Sequence, residues 1–506
     1  MTVALLAAGL AGTTCARRQS PNVAQPRPVV EWAGCAVVFK GPRCGLSAER
    51  KLTLWTANAN AAKWTFAADG LPFNARATQP VQEGWQVSLD VPAGAKRIES
   101  FRPSEAQPVW ALEIAETTPS PDLDALVAAG KRGDRDAVAR LRSLTANASP
   151  PRRGPAQAAL GRVLLARGEM YDAERALRAA MEADRAEGRL SDEMRDGDAL
   201  IWGLVVLQQR FADARRILES LAPTRDQFPE GSVWYAHNEG LLAAETNDFR
   251  DALASYRVVV RSAERLEMSA HYNGGAEDLA RILVILGRAK EAAAILERLP
   301  SKSDPCAQAS LTINRAEAFI ETTVHGGEVD NRRVRAALAD EQRATDVCPD
   351  PHRRLLALVD AARYALGTGD AATSDALVAL LRREQSAKDA LARAWRDDVL
   401  GRWSLARGDG SEALKIFEDE SGIARGAGLR DERFRAEVGA GESLLALGLR
   451  ARGIARLKAA QTLMERMLDG IPLTEGRGAF LSTHDEGARH LVGGLVDGGA
   501  LSEGLA

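Results

Sequence analysis

The stretch Leu160–Ala180 reads LGRVLLARGEMYDAERALRAA. Leu160 and Leu164 fall on one face of a predicted helix, and Gly168 ends that helix. Ala173, Leu177 and Ala180 then fall on one face of a second helix. The pattern predicts an antiparallel helix pair in which small residues such as Gly161 let the two backbones approach closely. A pair this short cannot bury its apolar face alone, so it requires similar neighbours.

The same pattern recurs with a period of about 40 residues. A turn residue is followed five positions later by a second anchor, at Gly168→Ala173, Gln209→Ala214, Asn247→Ala252, Gly287→Ala292, Gly327→Arg332, Gly367→Ala372, Gly408→Ala413 and Gly448→Gly453. Repeat two has Trp202 where glycine is usual, and repeats five and six have Arg332 and Asp360 where small residues are expected. A fixed period of helix pairs predicts an α-solenoid of eight repeats over 155–470.

The pattern L-G-x-x-L-x-x-x-G-x-x-x-x-A-x-x-x-L-x-x-A resembles that of the tetratricopeptide repeat family, lengthened from about 34 residues. The resemblance implies a mainly α, right-handed superhelix whose first helices line a concave groove. Carried over by position, it marks these candidate groove residues: Trp234, His237, Arg281, Asn314, Glu317, Arg354, Trp395, Arg402 and Arg435. Asn and Arg could hold a peptide backbone or carboxylate by directional hydrogen bonds. The alternative for each residue is a solvated helix face.

Before the repeats, the hydrophobic pattern has period two. Leu52 and Leu54, then Trp85, Val87, Leu89 and Val91, then Trp110, Leu112 and Ile114 alternate with other residues. Such short segments between Gly, Pro and Asn turns predict a small antiparallel β-sandwich over 29–116. Its tryptophans are expected in the core, with a sugar- or peptide-stacking surface as the alternative. A helical hairpin over 122–148 is expected to cap the solenoid, and 471–506 are expected to form an incomplete further helix pair.

The N-terminus suggests export. Val3–Ala11 is a short apolar run that fits a signal peptide over 1–15, with a linker over 16–28. The run also resembles a bacterial lipoprotein signal, which would make Cys15 the lipidated residue and the only membrane attachment. The expected location is the periplasm or the outer membrane. A cytoplasmic location is the alternative, in which this run is merely a helix.

The remaining four cysteines suggest two disulfides. Cys35 and Cys44 flank a predicted hairpin turn, which could place them opposite each other. Cys306 and Cys348 lie 42 residues apart and precede the first helices of adjacent repeats, which stacking would bring together. Reduced thiols in a cytosolic protein are the alternative. The spacing does not indicate zinc, because there is no CxxC motif.

Charge and motifs argue against several other functions. Lys and Arg number 66 and Asp and Glu 69, so the net charge of −3 gives no electrostatic reason to expect nucleic acid. The chain has no Gly-rich phosphate loop after a strand and no GxSxG. The densest polar cluster, His484-Asp485-Glu486 with His490, lacks HExxH spacing and is expected to be a surface helix. We therefore expect no catalytic residues, no metal and no cofactor.

The whole arrangement also resembles the N-terminal region of bacterial CHAT-domain proteins, which are caspase-like proteases. The residues that carry this resemblance are the Cys35…Cys44…LTLW segment, the Cys306 and Cys348 loops, and the terminal RHLVGGLVDGGALSEGLA. The catalytic domain itself is absent from the sequence. The main expectation is a non-catalytic scaffold of the cell envelope that binds a protein or peptide. The alternatives are a regulatory or substrate-recruiting region of a CHAT-type cysteine protease, and a cytosolic adaptor.

Overall fold

The computed structural model describes residues 30–57, 61–81, 84–103, 106–115, 121–325, 331–347, 351–384, 390–471 and 476–499. The expected signal peptide, the lipidation of Cys15 and the linker over 16–28 lie outside these ranges. So does Cys348.

The N-terminal part is a β-sandwich of two sheets. Its strands are β1 (Glu31–Ala33), β2 (Cys35–Phe39), β3 (Arg43–Leu46), β4 (Lys51–Thr56), β5 (Thr65–Ala68), β6 (Leu71–Phe73), β7 (Ala77–Val81), β8 (Gly84–Asp90), β9 (Arg97–Phe101) and β10 (Trp110–Ala115). One sheet has the order β1-β4-β8-β7 and the other β2-β3-β10-β9-β5-β6. All pairs are antiparallel except β3 with β10, which are parallel. The sandwich is therefore antiparallel, as expected, apart from this one pair.

The alternating residues form the core of the sandwich. Leu52, Leu54, Val87, Leu89 and Leu112 are all buried there. Trp64 is buried in the same core, and Trp32 packs against Trp110 with ring centroids 6.0 Å apart, whereas Trp55 is buried in a different cluster, with residues of the solenoid. The period-two pattern therefore identified the inward-facing side chains correctly.

The rest of the described chain is helical. The helices are α1 (Pro121–Lys131), α2 (Arg135–Asn147), α3 (Pro150–Ala166), α4 (Met170–Glu187), α5 (Leu190–Trp202), α6 (Phe211–Arg225), α7 (Pro229–Glu245), α8 (Phe249–Arg265), α9 (Ser269–Ile285), α10 (Ala289–Glu297), α11 (Pro305–His325), α12 (Asn331–Val347), α13 (Pro351–Gly367), α14 (Ala371–Arg383), α15 (Ala390–Ala406), α16 (Gly410–Ala427), α17 (Arg430–Ala446), α18 (Arg450–Asp469), α19 (Arg477–Thr483) and α20 (Glu486–Asp497). Eight successive pairs, from α3–α4 to α17–α18, form the solenoid.

Within a pair, a small residue on the first helix faces a large one on the second. A Cβ atom built on Gly161 would lie 2.7 Å from Leu177 Cγ, and one built on Gly401 would lie 2.6 Å from Phe417 Cζ. Leu177 and Phe417 are fully buried as a result. The two helices therefore approach closely only because the facing position lacks a side chain, as the sequence pattern predicted.

The repeat register differs from the prediction in pairs five and six. The left-handed turn residue of pair six is Gly369, with φ of 71°, whereas Gly367 ends α13. The buried anchors are Val334 and Ser374, while Arg332 is exposed. Both anchors lie two residues later than predicted, because the first-helix segment of pair five is longer. Consequently Ala362, and not Asp360, occupies the small position of pair six.

Pair two differs for another reason. The first helix continues beyond Trp202 as a π-helical segment, Gly203–Leu207. Trp202 is 42% exposed there instead of facing the second helix. The extra residue that a π-turn inserts rotates this side chain out of the helix-pair interface.

The sandwich rests on loops that join successive pairs. At the α4–α5 loop, the Lys40 amide donates to the Gly188 carbonyl (2.7 Å) and the Val38 amide to Ser191 Oγ (2.9 Å). At the α8–α9 loop, Gln86 Nε2 donates to Glu267 Oε1 (2.7 Å). Trp55 packs beside Leu266 in a shared apolar cluster. The sandwich therefore lies along the edge of repeats one to three.

The other edge is contacted by a C-terminal clasp, which we define as the described residues of Met467–His484. The Arg250 amide donates to the Gly470 carbonyl (2.9 Å), and the rings of Phe249 and Phe480 lie 6.1 Å apart. Phe480 is 1% exposed. The clasp joins the end of repeat eight to the turns of repeats three and four, so these six repeats form a closed ring. α20 then packs against α18 and α17.

Cys35 and Cys44 form a disulfide, with Cα atoms 5.6 Å apart. Cys306 lies in α11. Because Cys348 lies outside the described ranges, the second pairing stays a prediction. None of the helices in the described part of the chain is long and apolar enough to cross a membrane.

Candidate binding surface on the inner face

The inner face is the surface made by the first helices of the pairs, α5, α7, α9, α11, α13, α15 and α17. Most of these helices pack against the first helix of the next pair, for example α5 against α7 and α13 against α15. Direct contact between first helices places them on the inside of the curve. Acidic and basic side chains cover this face.

His237 lies between two acids contributed by the neighbouring repeats. Its Nε2 lies 3.2 Å from Asp278 Oδ2 and its Nδ1 lies 3.6 Å from Asp198 Oδ1. Burial opposes a charge on the imidazole, but the two carboxylates outweigh burial and raise the pKa of His237 to about 10. The ring is therefore a cation at neutral pH, and it links repeats two, three and four.

Arg281 and Asn314 continue this row of polar contacts. Arg281 donates to Glu245 Oε1 (3.2 Å) and lies 3.9 Å from Asp278. Asn314 Nδ2 donates to Glu277 Oε2 (3.3 Å), and Lys302 pairs with the same carboxylate. Each side chain is thereby held in one orientation by a residue of the preceding repeats.

Arg402 and Arg435 belong to a second group, in repeats seven and eight. Arg402 donates to Asp398 (2.9 Å) and to Glu486 on α20 (3.0 Å), and Arg363 also donates to Asp398 (3.0 Å). Burial would raise the pKa of Asp398, but Arg402, Arg363 and Arg435 outweigh it and hold the pKa at about 2.

Asp431 on α17 connects the group of Arg402 and Arg435 to the clasp. Arg435 donates to Asp431 (3.0 Å), and His484 of the clasp lies 2.9 Å from the same carboxyl group. These contacts keep the pKa of Asp431 well below its usual value in spite of burial.

Glu317 lies between the two groups, close to Asp360. Burial, Asp360 and Glu321 raise the pKa of Glu317 to about 8. Burial likewise raises the pKa of Asp360 to about 6, against the opposing effect of Arg363. Two carboxyl groups with raised pKa values mark a part of the face where negative charge exceeds positive charge.

The structure thus brings His237, Arg281, Asn314, Glu317, Arg402 and Arg435 onto one surface. Trp234 adjoins it, with its ring centroid 4.2 Å from that of His271. Trp395 instead packs into the apolar core of repeats six and seven. Arg354 is 66% exposed and borders a separate cavity of about 370 Å³ with residues of α12 and α14. These last two positions are not part of the inner-face network.

The sequence analysis missed the acidic residues Asp198, Asp278, Asp360, Asp398 and Asp431. A signal for four of them exists in the sequence. An aspartate three or four residues before an arginine recurs at Asp278 and Arg281, Asp360 and Arg363, Asp398 and Arg402, and Asp431 and Arg435. This spacing puts acid and base on one helix face. The shifted anchors of pairs five and six concealed the recurrence.

Comparison with known proteins yields structural similarity alone. No family model and no curated protein matches the chain. The structure of NprR in complex with its cognate peptide NprX is similar with a TM-score of 0.32 and 12% identity, over 72% of this chain and 81% of that one. The structure of the APC/C hetero-tetramer Cut9–Hcn1 has a TM-score of 0.37 and 14% identity, over 74% of this chain and 74% of that one. The P58(IPK) TPR domain has a TM-score of 0.20 and 13% identity, over 73% of this chain and 98% of that one.

All three TM-scores are below 0.5, so the fold of this chain is described from its own helix pairs and strands and not from these structures. The resemblance to CHAT-domain proteins is not among these findings. The chain is a solenoid of tetratricopeptide-like helix pairs joined to a small β-sandwich.

Proposed function

We propose that the chain is a non-catalytic scaffold that binds a protein or an extended peptide on the inner face of its solenoid. The observation that carries this proposal is the row of half-buried polar side chains, most of which are held by an ion pair or a hydrogen bond to a neighbouring side chain. Such groups lose little conformational freedom when they form hydrogen bonds to a ligand. Their alternation of donors and acceptors suits a peptide backbone.

The experiment is a selection of random linear peptides on the full chain, followed by hydrogen exchange with and without a selected peptide. We expect protection in α9, α11, α13 and α15, and no change in the second helices α6 and α16. Failure to select any peptide, or protection confined to second helices, would contradict the proposal.

A pair of arginine variants localises the site further. Arg402→Ala removes a donor of the inner face, whereas Arg215→Ala removes an exposed arginine of the second helix α6. We expect Arg402→Ala to weaken binding of the peptide by about tenfold, the value of one charge-assisted hydrogen bond, and Arg215→Ala to leave it unchanged. Equal effects of both variants would count against the inner face.

We also propose that the protein works in the bacterial cell envelope, with a lipid anchor at Cys15 as its one attachment to the membrane. The disulfide between Cys35 and Cys44 supports this, because such bonds persist in oxidising compartments. Cell fractionation combined with thiol alkylation tests the location. Recovery in the cytosol with both cysteines reduced would contradict it.

A further inference from the structure

Acidic side chains on the inner face generally have a basic partner. The exceptions are Glu317 and Asp360, which we call the acidic band. Asp278 has His237 at 3.2 Å, Asp398 has Arg402 at 2.9 Å, and Asp431 has Arg435 at 3.0 Å. Between these groups lie Glu317 on α11 and Asp360 on α13. Within the described ranges, neither forms an ion pair with Lys, Arg or His. Both side chains are only half-buried, so a ligand on the inner face can reach them.

The sequence explains why this band lacks a cation. Eleven residues before the buried anchor, repeats four, six and seven have Arg281, Arg363 and Arg402, whereas repeat five has Thr323. The two nearest arginines are engaged elsewhere. Arg281 donates to Glu245, and Arg363 donates to Asp398. The omission of one arginine from the recurring pattern leaves Glu317 and Asp360 without an ion pair in the part of the chain that the structure describes.

A second observation at the same place is the side chain of Glu341. It is 0% exposed on α12, and no hydrogen-bond donor reaches either of its carboxyl oxygens. Burial, together with the nearby carboxyl groups of Asp360 and Glu317, raises its pKa to about 9, so its protonated form is favoured at neutral pH. The second helix of repeat five therefore adds a third carboxyl group next to Glu317 and Asp360.

The spacing of these carboxyl groups does not suit a metal ion. In the part of the chain that the structure describes, the group with donor atoms close enough for a metal is Glu442, Glu486 and His490, in another region. There His490 pairs with Glu442 and Arg402 pairs with Glu486, so cations already occupy it. A larger cation with several N–H donors fits the band of Glu317 and Asp360 better. A guanidinium is planar and donates up to five hydrogen bonds, often to two carboxylates at once.

We propose that Glu317 and Asp360 bind a guanidinium group, supplied by an arginine side chain of the bound peptide. The identity of the ligand as a peptide rests on the function proposed above, whereas the guanidinium site does not. The ligand's cation takes the place of the arginine that repeat five lacks. Binding therefore continues the alternation of acid and base along the inner face.

The test uses the peptides selected on the full chain and their counterparts with citrulline, which keeps the shape of arginine without its charge. We expect the selected peptides to share an arginine, and citrulline at that position to weaken binding at least about tenfold. The Glu317→Gln/Asp360→Asn variant should bind arginine and citrulline peptides alike. Glu465→Gln, an exposed acid of α18, is the matched control and should behave as the wild type.

A second arm titrates agmatine, the arginine side chain without a peptide backbone, and follows binding by NMR. If agmatine binds to the wild type and not to the double variant, the guanidinium site is supported. If no peptide is selected in that case, only the proposal of a peptide-binding scaffold is overturned. Selected peptides without a shared arginine, together with no agmatine binding, overturn the site alone. Absence of both kinds of binding overturns both proposals. Circular dichroism of the double variant checks that it is folded, which we expect because amides keep the size of both side chains and need no proton.

Discussion

At the scale of single residues, Glu341 places a carboxyl group where other repeats have an aliphatic side chain. Seven residues after the buried anchor, repeats two, four and six have Leu221, Leu299 and Leu381, all buried. Repeat five has Glu341 at this position, and repeat seven has Glu420, which is also fully buried without a donor at its oxygens. Such a group can be accommodated only in its protonated form. The free energy of folding must therefore depend on pH through these two residues.

The sign of this dependence follows from the pKa values. The pKa of Glu341 is about 9 in the folded protein, compared with 4.5 for an unperturbed glutamate. Between these values the folded chain holds a proton that the unfolded chain has lost, so stability falls as pH rises from 4.5 toward 9. Glu341→Gln, which needs no proton, should have the stability of the wild type at pH 4.5. At pH 7.5 it should be more stable by about 1–3 kcal/mol.

The measurement is urea unfolding of both proteins across this pH range. Glu465→Gln removes an exposed acid and should follow the wild type at every pH. A constant difference between Glu341→Gln and the wild type would mean that Glu341 is ionised in the folded protein.

At the scale of elements, the turn between α9 and α10 shows what the clasp contributes. Gly287 there has φ of 72°, and a Cβ atom on it would lie 2.8 Å from Ala479 Cβ. Gly408, in the corresponding turn of repeat seven, has φ of 80° and open space around it. Alanine at either position therefore has a similar strain energy at positive φ. Only in Gly287→Ala does the new methyl group also clash with a residue of the clasp.

We expect Gly287→Ala to lower the free energy of unfolding by about 1–2 kcal/mol more than Gly408→Ala, because a contact in a packed interface must shift. Hydrogen exchange of α19 should also become faster in Gly287→Ala alone. Equal effects of the two substitutions would mean that α19 is not held against this turn in solution.

Local pattern predicted most elements but could not predict this contact. The αL turn residues and small–large pairs of repeats one, three, four, seven and eight follow from neighbours within about 20 positions, which periodicity detects. The clasp joins residues more than 200 positions apart, such as Arg250 and Gly470, and no local signal records that contact. Similarly, the nine candidate groove residues were chosen by repeat position. Trp395 and Arg354 lie outside the inner-face network, because the ring of Trp395 packs into the core and Arg354 borders the cavity lined by α12 and α14.

At the scale of the whole molecule, α8 connects the two larger assemblies. Its first residue, Phe249, packs against Phe480 of the clasp, and its last, Arg265, pairs with Glu31 of the sandwich. Repeat three therefore belongs both to the ring closed by the clasp and to the edge covered by the sandwich. Destabilising the sandwich should lower the local stability of the first repeats, because hydrogen bonds at Gly188 and Ser191 join the β2 region directly to the solenoid.

The Cys35–Cys44 disulfide allows this coupling to be measured. It closes a short loop at β2 and β3, and removing it should destabilise the sandwich by about 2–3 kcal/mol. Because the Val38 amide donates to Ser191 at the start of α5, the Cys35→Ser/Cys44→Ser variant should show faster hydrogen exchange in Leu190–Trp202 as well as in β2. Reductant should reproduce the change in the wild type and add nothing at α5 in the variant. If β2 loosens while α5 keeps its protection, the sandwich and the solenoid unfold independently and the sandwich does not brace the inner face.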